Sequence, residues 1–79
     1  MTAIFRGRHG DRLVVETGEG FLVANAIGDC DLDVGEVVGG VSRSLGTQHW
    51  RGSRGGVLEV WVDNFDMDAA TALGWLHSV

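Results

Sequence analysis

The chain has no proline, no tyrosine and no lysine, and a single cysteine. Without lysine it has neither a Schiff-base nucleophile nor the lysine of a phosphate-binding loop. Cys30 cannot form an internal disulfide, which excludes a stapled secreted mini-protein and makes a reducing, cytoplasmic setting the expectation. No apolar run reaches the roughly 18 residues of a membrane-spanning helix. The segment Met1-Thr2-Ala3-Ile4-Phe5-Arg6 meets an arginine too soon to read as a cleavable export signal.

What is present is glycine and acid. Among 79 residues there are 13 glycines and 11 acids against six cations, all arginine, for a net charge of -5. With 44% apolar and 22% charged residues the composition is globular, and the length suits one domain, residues 1–79. In so small a fold, about 1.5 kcal/mol of conformational entropy per residue nearly cancels burial at about 25 cal/mol per Å². Most large apolar side chains are therefore needed in the core.

The first half reads as a meander. Ala3 to His9 alternates, with Phe5 on one face and Ile4, Arg6 and Arg8 on the other, and Gly10-Asp11 forms a two-residue hairpin turn. Arg12 to Thr17 is the partner strand, Gly18-Glu19-Gly20 a second turn, and Phe21 to Ile27 a third strand. Residues 28–36 carry four acids and read as a loop. A strand is expected from Val37 to about Arg43, a turn at Leu45-Gly46, and a return over Thr47 to Arg51. The Arg51-Gly52-Ser53-Arg54-Gly55-Gly56 run is a hairpin tip. Val57 to Val62 alternates cleanly, with Leu58, Val60 and Val62 opposite Val57, Glu59 and Trp61.

The tail changes period. Ala69, Ala72, Leu73 and Leu76 recur at helical spacing, which predicts a helix over about 67–77 packed on the sheet and capped by Asn64 or Asp66. The whole is mainly β: a small barrel of five or six antiparallel strands with a short C-terminal helix. The stretch Leu32-Asp33-Val34-Gly35-Glu36-Val37-Val38-Gly39-Gly40-Val41, followed by Leu45-Gly46, resembles the entry into a barrel strand of bacterial OB-fold domains. The resemblance covers residues 3 to 63 in outline. It implies OB-like topology and ligand binding on the barrel face, with the acidic loop 28–36 standing where that family usually has a helix.

Charge is segregated along the chain. The arginines fall in residues 6–12 and 43–54, and eight acids fall in 29–36 and 59–68. Arg6, Arg8, Arg43, Arg51 and Arg54 could converge beside Trp50 and His49, since guanidinium forks and aromatic faces together make a single-strand nucleic-acid channel. The acidic net charge disfavours that ligand. Trp61 and Trp75 are expected to meet each other or the helix in the core, or else to anchor a protein partner.

No catalytic constellation is legible. Ser42 or Ser44 with His49 lacks a nucleophile elbow, and Cys30, His9, His49 and His77 lack metal-ligand spacing. The acidic loop has Val34 and Gly40 where a calcium loop needs glycine and glutamate. The expectation is a non-catalytic binding or adaptor protein, monomeric or weakly dimeric, with no metal or cofactor. Its partner would be another protein, met through Arg6, Arg8, Arg43, Trp50, Arg51, Arg54, Trp61 and Trp75. Single-stranded nucleic-acid binding through an arginine and tryptophan face is the alternative.

Overall fold

The computed structural model describes residues 1–78. Its elements are β1 (Ala3–His9), β2 (Arg12–Thr17), β3 (Gly20–Ala26), β4 (Val37–Gly39), β5 (Gly46–Gly52), β6 (Val57–Met67) and α1 (Ala69–His77). Neighbouring strands run in the order β1-β2-β3-β6-β5-β4, and β4 closes back on β1. Every pairing is antiparallel. Two three-stranded meanders are therefore joined side by side, β3 to β6 and β1 to β4.

The β1–β4 seam is short, and backbone outside it supplements the ladder. Phe5 N–H donates to the Glu36 carbonyl at 2.9 Å, and Gly35 N–H donates to the Phe5 carbonyl at 2.7 Å. The N-terminal ammonium donates to the Val41 carbonyl at 3.0 Å. These bonds satisfy backbone groups that would otherwise be stranded where the barrel closes.

Strict alternation fills the barrel. Phe5, Leu13, Val15, Leu22, Trp50, Val60 and Val62 point inward and are buried, each contributing roughly 1.5–3 kcal/mol by leaving water. β2 and β3 are buried on both faces at their centres, because α1 lies across their outer side. There Val14 and Val23, cross-strand partners, pack with Ala72 and Leu76. Gly7 permits this approach, since a Cβ there would stand 3.3 Å from Leu76 Cδ2. A register shift in β1 between Phe5 and Gly7 marks the same place.

Several expected boundaries move. β4 ends at Gly39 instead of running to Arg43, because Gly40 takes φ 79° and an added Cβ there would sit 2.9 Å from the His49 carbonyl. β6 continues past Val62 to Met67, held by β3 through Val23 opposite Asn64 and Phe21 opposite Met67. Asp66 is consequently a strand residue, with φ 58°, clasped by the Arg43 guanidinium with Nε 2.7 Å from Oδ1. The helix cap is Asp68, not Asn64 or Asp66: its carboxylate accepts the Thr71 N–H at 2.7 Å. The buried stripe of α1 is Ala72 and Leu76 with half-buried Trp75, whereas Ala69 and Leu73 face solvent. Packing of α1 on Val14 and Val23 sets that phase.

Candidate functional site on the outer face of β3, β6 and β5

The arginines expected to converge are mostly tied down separately. Arg6 Nε lies 3.5 Å from Glu16. Arg8 donates to the carbonyls of Cys30 at 2.8 Å and Gly10 at 3.2 Å. Arg43 is clasped on Asp66. Arg54 donates to the Asp31 carbonyl at 3.0 Å and stands 3.5–3.6 Å from the carboxylates of Asp31, Asp33 and Glu36. Arg51 alone, among the described residues, has neither an ion pair nor a side-chain hydrogen bond.

Trp50 corrects a second expectation. At 1% exposure it is a core residue, unable to stack on a ligand beside the arginines. Alternation in β5 sends Gln48, Trp50 and Gly52 inward and Thr47, His49 and Arg51 outward. Trp50 Nε1 donates to Gln48 Oε1 at 2.8 Å, and Oε1 also accepts the Ser42 N–H at 3.0 Å. Gln48 Nε2 donates to the carbonyls of Ser42 and Ser44, each at 2.8 Å. One buried amide thus satisfies the indole and pins the connection between β4 and β5. Sequence reading gave Gln48 no role; its inward position two residues before Trp50 was the available signal.

Trp61 and Trp75 do not meet in the core. Trp75 is half-buried against Val14, Val23, Ala72 and Leu76, outside the barrel. Trp61 is 50% exposed, pointing outward from β6 between Asn25 of β3 and Thr47 of β5. Helix α1 covers the outer face of β2 and β3 and leaves this face open. On the same side of β6 stand Glu59, paired with His49 at 3.4 Å, and Val57, opposite Arg51. Ile27 lies beside Glu59, its N–H donating to the Glu59 carbonyl at 2.8 Å, and Asn25 Nδ2 donates to Asp63. Val57, Trp61 and Ile27 are thus exposed apolar residues placed around the Glu59–His49 pair on this face. Ile27 and Thr47 were invisible as site residues because only the β3–β6–β5 register brings them to Trp61.

Two cavities flank Val57, which is 66% exposed. The first, about 340 Å³, lies between loop 28–36 and the β5–β6 turn, with Leu32, Val57 and Leu58 as apolar lining and Asp29, Asp31, Glu36 and Arg54 as charged lining. The Glu36 side chain is only 6% exposed. It accepts the Asp33 N–H at 3.1 Å, and that bond, with Arg54 beside it, holds its carboxyl below the ordinary value. Gly52 makes room for it, since an added Cβ would stand 2.5 Å from Glu36 Oε2. Burial pushes the nearby Cys30 thiol upward. The second cavity, about 380 Å³, is lined by Gly39, Gly40, His49, Trp50, Arg51 and Val57.

His49 faces outward to Glu59, while Gln48 is bound by the backbone of the exposed Ser42 and by the Ser44 hydroxyl. Among the described residues no three His, Cys, Asp or Glu side chains are grouped to hold a metal ion. No helix among them is long and apolar enough to cross a membrane. Compared with known proteins, the chain matches no family model, no curated protein and no solved structure.

Proposed function

We propose that this protein is a non-catalytic protein-interaction module that docks through the outer face of β3, β6 and β5, with Trp61 as its anchor. The observation that carries this reading is the exposure of Trp61, the most exposed tryptophan among the described residues, on an outer sheet face that α1 does not cover. In a chain this small a large aromatic is worth far more in the core, and Trp and Arg dominate the energetics of protein interfaces. Unpaired Arg51 stands on the same face. The closed antiparallel barrel is consistent with an OB-like barrel, although it has six strands and lacks a helix between β3 and β4. For single-stranded nucleic acid the supporting features are weaker: four of the five candidate arginines are engaged elsewhere, and Trp50 is buried.

The test is a photo-cross-linking residue at Thr47, used in lysate of the source cells, with the adduct identified and the captured protein purified. Its affinity for the wild-type chain should fall at least tenfold with Trp61→Ala. Unchanged affinity overturns the reading. A saturable tryptophan quench by single-stranded DNA or RNA at low salt would favour the nucleic-acid alternative instead.

A further inference from the structure

We infer that the partner is basic where it meets this face, and that an arginine or lysine side chain of the partner enters the cavity beside Val57. The inference rests on the Trp61 docking face and specifies the chemistry of its occupant. Val57 belongs to both features: it lines the cavity and shares the outer side of β6 with Glu59 and Trp61. A surface laid over that side of β6 therefore borders the cavity at Val57.

The cavity wants a long cationic side chain on three grounds. Leu32, Val57 and Leu58 offer apolar contact to an aliphatic stem, while Asp29, Asp31 and Glu36 offer carboxylates to its head. Around it, Asp29, Asp31, Asp33 and Glu36 face Arg8 and Arg54, with Arg51 opposite Val57 at its edge, leaving an excess of one negative charge. The resident Arg54 is also loosely satisfied. It is spread over three carboxylates at 3.5–3.6 Å, outside good hydrogen-bond distance, and its only close contact is the Asp31 carbonyl. An incoming guanidinium able to pair bidentately competes on better terms. A basic partner also matches the net charge of -5 and would be steered toward the chain. Neither a second copy of this acidic chain nor a nucleic acid supplies that complement.

The experiment is an NMR titration of the isotope-labelled full chain with acetyl-leucyl-arginine amide, and in parallel with acetyl-leucyl-citrulline amide, its uncharged near-isostere. The arginine probe should give saturable shifts at amides of residues 29–36 and 56–58 and at the Trp61 indole, with affinity falling at least fivefold between about 20 and about 300 mM salt. The citrulline probe should give none. Arg54→Ala, which vacates the cavity, should tighten the arginine probe severalfold, and Asp29→Asn with Asp31→Asn should weaken it at least fivefold. Absence of shifts, equal shifts with citrulline, or equal shifts at the other acidic segment, residues 63–68, overturns the inference. The comparison of two probes on the wild-type chain stands even where a variant fails to fold. Failure here leaves the Trp61 reading intact, because that reading is decided by the cross-linked partner and Trp61→Ala.

Discussion

The Arg12 guanidinium lies over the Trp75 ring, 5.1 Å from its centroid, and donates to the Trp75 carbonyl at 2.7 Å and the Ser78 carbonyl at 2.6 Å. One side chain of β2 thus binds both the face of the helix's aromatic residue and carbonyls at its C-terminal end. Arg12→Ala should destabilise the fold by about 2 kcal/mol, a charged hydrogen bond plus a cation–π contact. Arg12→Lys keeps the charge without the fork and should recover less than half. Urea denaturation of the three proteins checks both values. Loss of helical signal ahead of the barrel transition is the expected signature in the alanine variant.

Gln48 should be the most sensitive polar position in the chain. Gln48→Met preserves length but leaves the Trp50 indole N–H, the Ser42 N–H and two carbonyls without their partner. Unsatisfied buried groups and a broken network together predict a loss of about 3 kcal/mol. A shift of Trp50 fluorescence toward that of a mobile indole should accompany it, and a variant as stable as wild type would show that water replaces the amide.

Trp61 should behave in the opposite way. Trp61→Ala removes only cross-strand contacts with Asn25 and Thr47 on an open face, so its stability change should stay below about 1 kcal/mol while partner affinity falls. Thermal melts alongside the binding measurement separate the two effects. A large fall in melting temperature would recast Trp61 as a structural residue.

Acid should loosen the fold through three identifiable carboxyls. Hydrogen bonds from Arg43 to Asp66, from the Thr71 N–H to Asp68 and from the Asp33 N–H to Glu36 hold each below its ordinary value, 3.8 for the aspartates and 4.5 for the glutamate. The folded chain therefore binds fewer protons than the unfolded chain across that window. Their stabilisation is complete above the ordinary values and is lost as pH falls through the lowered ones. Melting temperature should be level near pH 6 and drop below about pH 4.5. Asp68→Asn, which still caps the helix but does not titrate, should flatten that drop, whereas Asp68→Ala should lower the melting temperature by roughly 5 °C at neutral pH.

The first meander was legible because β1 alternates, β2 and β3 carry apolar runs of strand length, and glycine marks both turns. Beyond Val62 legibility failed for a physical reason: Asp63, Asn64 and Asp66 are turn formers, and pairing with β3 together with the Arg43 clasp carries the strand on through a left-handed Asp66 to Met67. Misplacing the strand end misplaced the helix cap, while the buried stripe depends on the face of α1 that meets Val14 and Val23. The arginine patch could not be foreseen, since the Arg43 and Arg54 partners lie 23 positions away and are set by barrel closure. Trp61 on the outer side of β6 was readable from alternation; what covers that side was not.

Barrel closure also dictates when the chain can fold as it leaves the ribosome. β3 is completed at Ala26, but its second neighbour, β6, begins only at Val57, and β1 waits for β4 to seal its other side. Until then the first meander carries two open edges and an outer face, Val14 and Val23, that only the final helix covers. Folding of the first half is thus coupled to elements that follow it in the chain: its edges and its outer face are satisfied only once β4, β6 and α1 have been made.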